Sequence, residues 1–75
     1  MISYNIPENA DVMLSVYDMR GRMIKSLVNK NQASGRYLVE WNATDDYGNN
    51  VGAGVYIYQL RSGNMTFSQK MVLMK

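Results

Sequence analysis

The chain contains no cysteine and no histidine. Without thiols there can be no disulfide framework and no thiolate metal site. Without imidazole, the commonest general base and metal ligand is missing. Proline occurs once, at Pro7, so backbone N–H groups are free to enter ladders along nearly the whole chain. No apolar run approaches the ~20 residues of a membrane-spanning helix. Charge of one sign is also scarce: 8 basic and 6 acidic residues leave a formal net charge of +2. The bases Arg20, Arg22, Lys25, Lys30, Arg36, Arg61, Lys70 and Lys75 are scattered, which argues against nucleic acid or an anionic membrane as partner. Strand-like sequence starts at Ile2 with no secretory leader ahead of it, so a module cut from a longer protein is expected.

What remains is apolar and β-prone. Hydrophobic residues make up 47% of the chain, enough for a core and too many for a disordered segment. Its 75 residues hold one domain, residues 1–75. A domain this small buries only about 60% of its unfolded surface, so its stability is modest. The organising stretch is Gly54-Val55-Tyr56-Ile57-Tyr58-Gln59-Leu60. Its β-branched and aromatic side chains suit a pleated surface. Tyr56, Tyr58 and Leu60 fall on one face, Val55, Ile57 and Gln59 on the other. A strand apolar on both faces belongs in the middle of a sheet.

The other segments read as strands and turns around it. Ile2, Tyr4 and Ile6 alternate before Pro7 and a turn at Glu8-Asn9-Ala10. Val12, Leu14 and Val16 alternate inward in the next strand. Asp18-Met19-Arg20-Gly21 has the chemistry of a type I turn. A third strand is expected over Arg22 to Val28, where broken alternation suggests a bulge or a sheet edge. Asn29 to Gly35 reads as a polar crossing loop. Arg36 to Asn42 is the fourth strand, with Tyr37, Val39 and Trp41 on one face and Trp41, the single tryptophan, as core anchor. A long loop, Ala43 to Ala53, repeats the Asp-x-x-Gly turn at Asp45-Asp46-Tyr47-Gly48. After the central strand, Ser62-Gly63-Asn64 turns a hairpin into a last strand, Met65 to Met74. Met65, Phe67, Met71 and Leu73 share one of its faces. Six strands at short spacing favour a β-sandwich. The structural core is assigned to Val12, Leu14, Val16, Trp41, Tyr56, Tyr58 and Leu60.

Candidate sites are few. Asp45, Asp46, Asn49 and Asn50 cluster oxygen ligands, but they lack the pattern and terminal Glu of a calcium loop, and turn chemistry accounts for them. No metal and no cofactor are expected. An enzyme is not expected either, since no base is paired with a nucleophile. Six tyrosines and Trp41 could build a sugar-stacking platform. Most of these rings alternate towards the core, however, and Tyr47, in its loop, is the candidate contact for a glycan or partner. The methionines are spread over several strands and read as core filling. The most suggestive stretch is the tail Lys70-Met71-Val72-Leu73-Met74-Lys75, either a closing strand with solvated lysines or a C-terminal tag read by a transport machine.

Taken in order, the motifs are Ile2-Ser3-Tyr4-Asn5-Ile6-Pro7, Val12 to Arg22, Ser34-Gly35, Val39-Glu40-Trp41-Asn42, Asp45 to Val51, Gly54 to Leu60 and Lys70 to Lys75. This series resembles the C-terminal sorting domain of type IX (Por) secretion substrates and the related Ig-like domain of flagellar hook-capping proteins. Ala43 stands where the resemblance leads one to expect glycine. The resemblance implies an Ig/fibronectin III-like sandwich of six to seven antiparallel strands at the C-terminus of a larger exported protein, such as a hydrolase or adhesin. It also implies a non-catalytic role in sorting, secretion and attachment at the bacterial cell surface. Lys70 to Lys75 would then be the sorting signal, paired by a receptor through strand addition. Partners would be the secretion machinery or an upstream domain of the same polypeptide. The alternatives are a carbohydrate-binding module, with a polysaccharide as partner, and a structural Ig-like spacer or assembly module.

Overall fold

A computed structural model describes residues 1–74 of the chain. Within them six strands run in the order β1 (Ile2–Ile6), β2 (Ala10–Tyr17), β3 (Met23–Gln32), β4 (Gly35–Val39), β5 (Gly54–Ser62) and β6 (Met65–Leu73). They form two sheets, a two-stranded β1-β4 and a four-stranded β3-β2-β5-β6, and every pairing is antiparallel. The architecture is an all-β sandwich, as the two-residue periodicity predicts.

The central pair is β2 and β5. Opposite residues Leu14↔Leu60 and Val16↔Tyr58 put one apolar row of each strand on the same face. Val12, Leu14 and Val16 are completely buried. Ile2, Tyr4 and Ile6 of β1 pack with Val12 and Leu14, and Val28 and Leu60 complete the buried cluster. Burying each of these side chains stabilises the fold by roughly 1.5–3 kcal/mol. The two layers are also joined by a polar contact: the Tyr4 hydroxyl donates to Gln32 Oε1 at 2.7 Å, with both residues buried. Tyr4 stacks on its cross-strand neighbour Tyr37, with ring centroids 5.3 Å apart.

Three expectations are corrected. Residues 29–32 do not belong to a crossing loop: β3 continues through Gln32, pairing Ala10↔Gln32 and Asp11↔Asn31. Asn29, Lys30 and Asn31 are exposed along this edge strand while Gln32 turns inward, and Ala33 and Ser34 alone span the layers. The fourth strand stops at Val39, and Trp41 lies beyond it, half-buried at the rim of the sandwich. Its ring meets Tyr56 edge-on at 5.2 Å, and its Nε1 donates to the Thr44 carbonyl at 2.9 Å. Trp41 and Tyr56 therefore pack outside the central cluster, which is capped by Ile2, Tyr4 and Ile6 instead. Of the other core assignments, Val12, Leu14, Val16 and Leu60 are buried and Tyr58 packs partly buried against the cluster. Third, the methionines do not fill the core: Met19, Met23, Met65 and Met74 are exposed, and the apolar row of β6 is not enclosed. Phe67 is 57% exposed although it stands opposite buried Leu60. A two-stranded layer is too narrow to cover four strands, and β6 is the strand left out.

The bulges do appear: β2 and β3 shift register at Leu14/Ser15 and again at Val16/Tyr17. Asp18 to Gly21 turns as expected. Gly21 N–H donates to the Asp18 carbonyl at 3.0 Å, and Gly21 has φ +84°, a region that glycine enters without steric cost.

Candidate functional site

Two regions of the surface are set apart by how the chain builds them. The first is the loop between β4 and β5. Asp45 organises it: one carboxylate oxygen accepts from the N–H groups of both Tyr47 and Asn49 at 2.9 Å. The Gly48 N–H also donates to the Asp45 carbonyl at 3.1 Å. Asp46 reaches sideways to β3. Its N–H donates to the Ile24 carbonyl and its carboxylate accepts from the Ser26 N–H, both at 3.0 Å. The Lys25 ammonium donates to the Asp45 carbonyl at 3.3 Å. The loop thus takes up backbone groups along part of the β3 edge, where another strand would otherwise pair. The two aspartates are used as turn and edge acceptors, the role that turn chemistry assigns them. Tyr47 is held outward at the tip, 89% exposed.

Ala43 begins this loop with φ +61°, alone among the described non-glycine residues in the left-handed region. Thr44↔Asn50 bridging and the Val51 N–H donating to the Ala43 carbonyl at 2.9 Å hold it there. This is the position where the family resemblance calls for glycine. A side chain in that conformation costs about 1–2 kcal/mol, partly offset because glycine loses more entropy on folding. Ala43→Gly is expected to raise stability by about 0.5–1 kcal/mol, read as a higher urea midpoint at unchanged slope.

The second region is β6 and the trough beside it. Opposite pairs Leu60↔Phe67, Tyr58↔Gln69 and Tyr56↔Met71 place the Met65, Phe67, Gln69, Met71 and Leu73 side chains on the face that carries the core. Clefts of about 260 and 360 Å³ run between this row and β1, the first floored by Leu14 and Leu60 and the second ending at Trp41. Gln69 is anchored there by the Tyr58 hydroxyl, which lies 3.0 Å from its Oε1. The opposite face of β6 carries Thr66, Ser68, Lys70 and Val72. In contrast with β3, no hydrogen bond from a loop covers the outer edge of β6 among the described residues.

The tail residues of the sequence reading separate in this geometry. Lys70 to Leu73 form the end of β6, paired to β5 through Ile57↔Lys70 and Gly54↔Leu73. Met71 and Leu73 are half-buried on the core side, Val72 is 67% exposed on the other, and Met74 lies past the strand. Lys75 lies outside the described residues. Sequence reasoning missed Asp46 as an edge cap and Gln32 as the partner of Tyr4. Both are contacts between segments remote in sequence, which local patterning does not report.

Two ionisable groups, Asp18 and Tyr4, are shifted by contacts that hold the fold. Asp18 closes its turn by accepting from the Arg20 and Arg22 N–H groups and from Arg22 Nε, all at 2.9 Å. The Arg22 backbone bond, helped by the other donors and the guanidinium charge, holds its carboxyl below the ordinary aspartate value. Burial pushes the Tyr4 hydroxyl up, against the lowering effect of its bond to Gln32.

Residues 1–65 match the family model described as the FlgD Ig-like domain. The chain belongs to the FlgD Ig-like domain family. The solved structure of FLGD from P. aeruginosa has the same fold, with a TM-score of 0.70 and 25% sequence identity over 95% of this chain. The chain spans 57% of the length of that FLGD structure. No curated protein sequence matches. The Ig-like, hook-capping side of the resemblance is thereby upheld. The assignment as a type IX sorting and surface-attachment module is overturned, and so is the carbohydrate-binding alternative, because the match is to FlgD. The sorting role given to Lys70 to Lys75 is part of that assignment, and the family match ends at residue 65. No described helix is long and apolar enough to cross a membrane.

Proposed function

We propose that this FlgD Ig-like domain is a non-catalytic structural module of a longer protein that acts in assembly at the bacterial surface, as a hook-capping protein does. The supporting observation is the family match over residues 1–65, with the FLGD structure containing the same sandwich as part of a longer chain. Components of a flagellar-type assembly are the partners. The rigid sandwich keeps neighbouring segments apart, and its loops face the partner. Tyr47 is the side chain best placed for that contact, because the Asp45 turn holds its ring clear of the sandwich.

The test is a graft. In P. aeruginosa FLGD the matching domain is replaced by residues 1–75, and motility and hook formation are scored in a strain lacking its own FLGD. Restored motility is expected, with a marked loss when Tyr47→Ala is added to the graft. A graft that is produced in full amount yet leaves cells without hooks would refute the assembly role. An unrelated sandwich of equal size restoring motility equally well would reduce the module to a spacer and remove the role of Tyr47.

A further inference from the structure

The two edges of the four-stranded sheet are treated differently. At β3 the Asp46 loop occupies backbone groups of Ile24 and Ser26. At β6, nine residues of edge strand carry a single charge, Lys70, and an apolar row left exposed on the core side. Long apolar edges of this kind pair with other strands.

The side-chain pattern says which strand. Along the core face the row reads Met65, Phe67, Gln69, Met71, Leu73, two apolar residues on either side of a central polar one. It is the same in both directions. We propose that β6 is a self-association edge, pairing antiparallel with β6 of a second copy about a two-fold axis through Gln69. In that register Met65 faces Leu73, Phe67 faces Met71, and Gln69 faces Gln69 of the second copy. Every apolar side chain of the row meets an apolar one, and the polar one meets its equal. On the other face Thr66 meets Val72 and Ser68 meets Lys70, so the two lysines are offset. Sliding two residues one way sets Lys70 directly against Lys70, and like charges in direct opposition are destabilising. Sliding two residues the other way sets Phe67 against Gln69 and leaves Leu73 unpaired. A slip of one residue puts the two apolar rows on opposite faces. The contact is isologous, so it closes as a dimer and does not grow into a filament. It joins the two four-stranded sheets into one of eight strands.

Association in solution and hook assembly are read separately, so either can fail without the other. Sedimentation velocity of residues 1–75 from micromolar to millimolar protein is expected to show a reversible monomer–dimer equilibrium. Phe67→Lys, at a position already 57% exposed, is expected to remain folded by circular dichroism and to stay monomeric over that range. The chain has no cysteine, which permits a register test. Under mild oxidation Gln69→Cys is expected to cross-link to itself, and Met71→Cys, which faces Phe67, is not. A wild-type protein monomeric at every concentration would overturn the proposal. So would a dimer that persists in Phe67→Lys, or one in which Gln69→Cys fails to cross-link. A monomer that captures a synthetic β6 peptide, with amide shifts at Ser3 and Asn5, would assign strand addition to the open edge of β1 and overturn it as well.

Discussion

Leu14→Ala is expected to remove about 3–4 kcal/mol of stability. Leu14 is completely buried between the two sheets, opposite Leu60 and beneath β1. The substitution loses the transfer free energy of the deleted methyl groups and opens a cavity that β1 can only partly close, because its pairing to β4 fixes its position. For a chain of this length total stability is roughly 4–11 kcal/mol. A loss of that size would lower the melting temperature by roughly 15–25 °C. Phe67→Ala gives the contrast. Phe67 lies one strand away on the same face but is mostly exposed, and its loss is expected to cost less than about 1 kcal/mol. Equal losses at the two positions, measured by urea unfolding, would show that β6 is covered and that the layer assignment is wrong.

Tyr4→Phe is expected to cost about 1–3 kcal/mol near neutral pH. The ring still packs on Tyr37, but the buried Gln32 amide oxygen loses its hydroxyl donor. The same variant changes the alkaline behaviour. In the folded chain burial raises the Tyr4 hydroxyl above the ordinary value of 10.0. In the unfolded chain it ionises at its ordinary value. Between the two the unfolded state holds fewer protons than the folded one, so stability falls as pH rises. The Tyr4 contribution is therefore complete below pH 10.0 and declines above it. Urea unfolding from pH 8 upward is expected to show the gap between wild type and Tyr4→Phe narrowing above that point. A constant gap would place the Tyr4 hydroxyl in solvent.

Much of this fold is legible in sequence where alternation is strict. Ile2, Tyr4 and Ile6 alternate without interruption, and all three are buried in β1. Val12, Leu14 and Val16 do the same in β2. The Asp-x-x-Gly turns at Asp18 and Asp45 are local chemistry and fold as local chemistry dictates. Trp41 shows where patterning stops. Its parity with Tyr37 and Val39 holds only while the strand continues, and β4 ends at Val39. The apolar row of β6 shows a second limit. Alternation marks a face suited to burial but cannot say whether a second layer reaches it. Ala43 bears on the site itself: a left-handed residue is invisible in the side-chain pattern, and glycine at that place in the family motif was its one trace.

Native-state hydrogen exchange tests the central claim most directly, that β2 and β5 under the β1-β4 layer form the unit on which the module's rigidity depends. The slowest amides are expected on β2 and β5 around Leu14 and Leu60, exchanging only through global unfolding. Asp46, bonded to the β3 edge through Ile24 and Ser26, is expected to be protected above the rest of its loop. Slowest exchange in β3 or β4, with Val12 to Val16 opening early, would contradict that account.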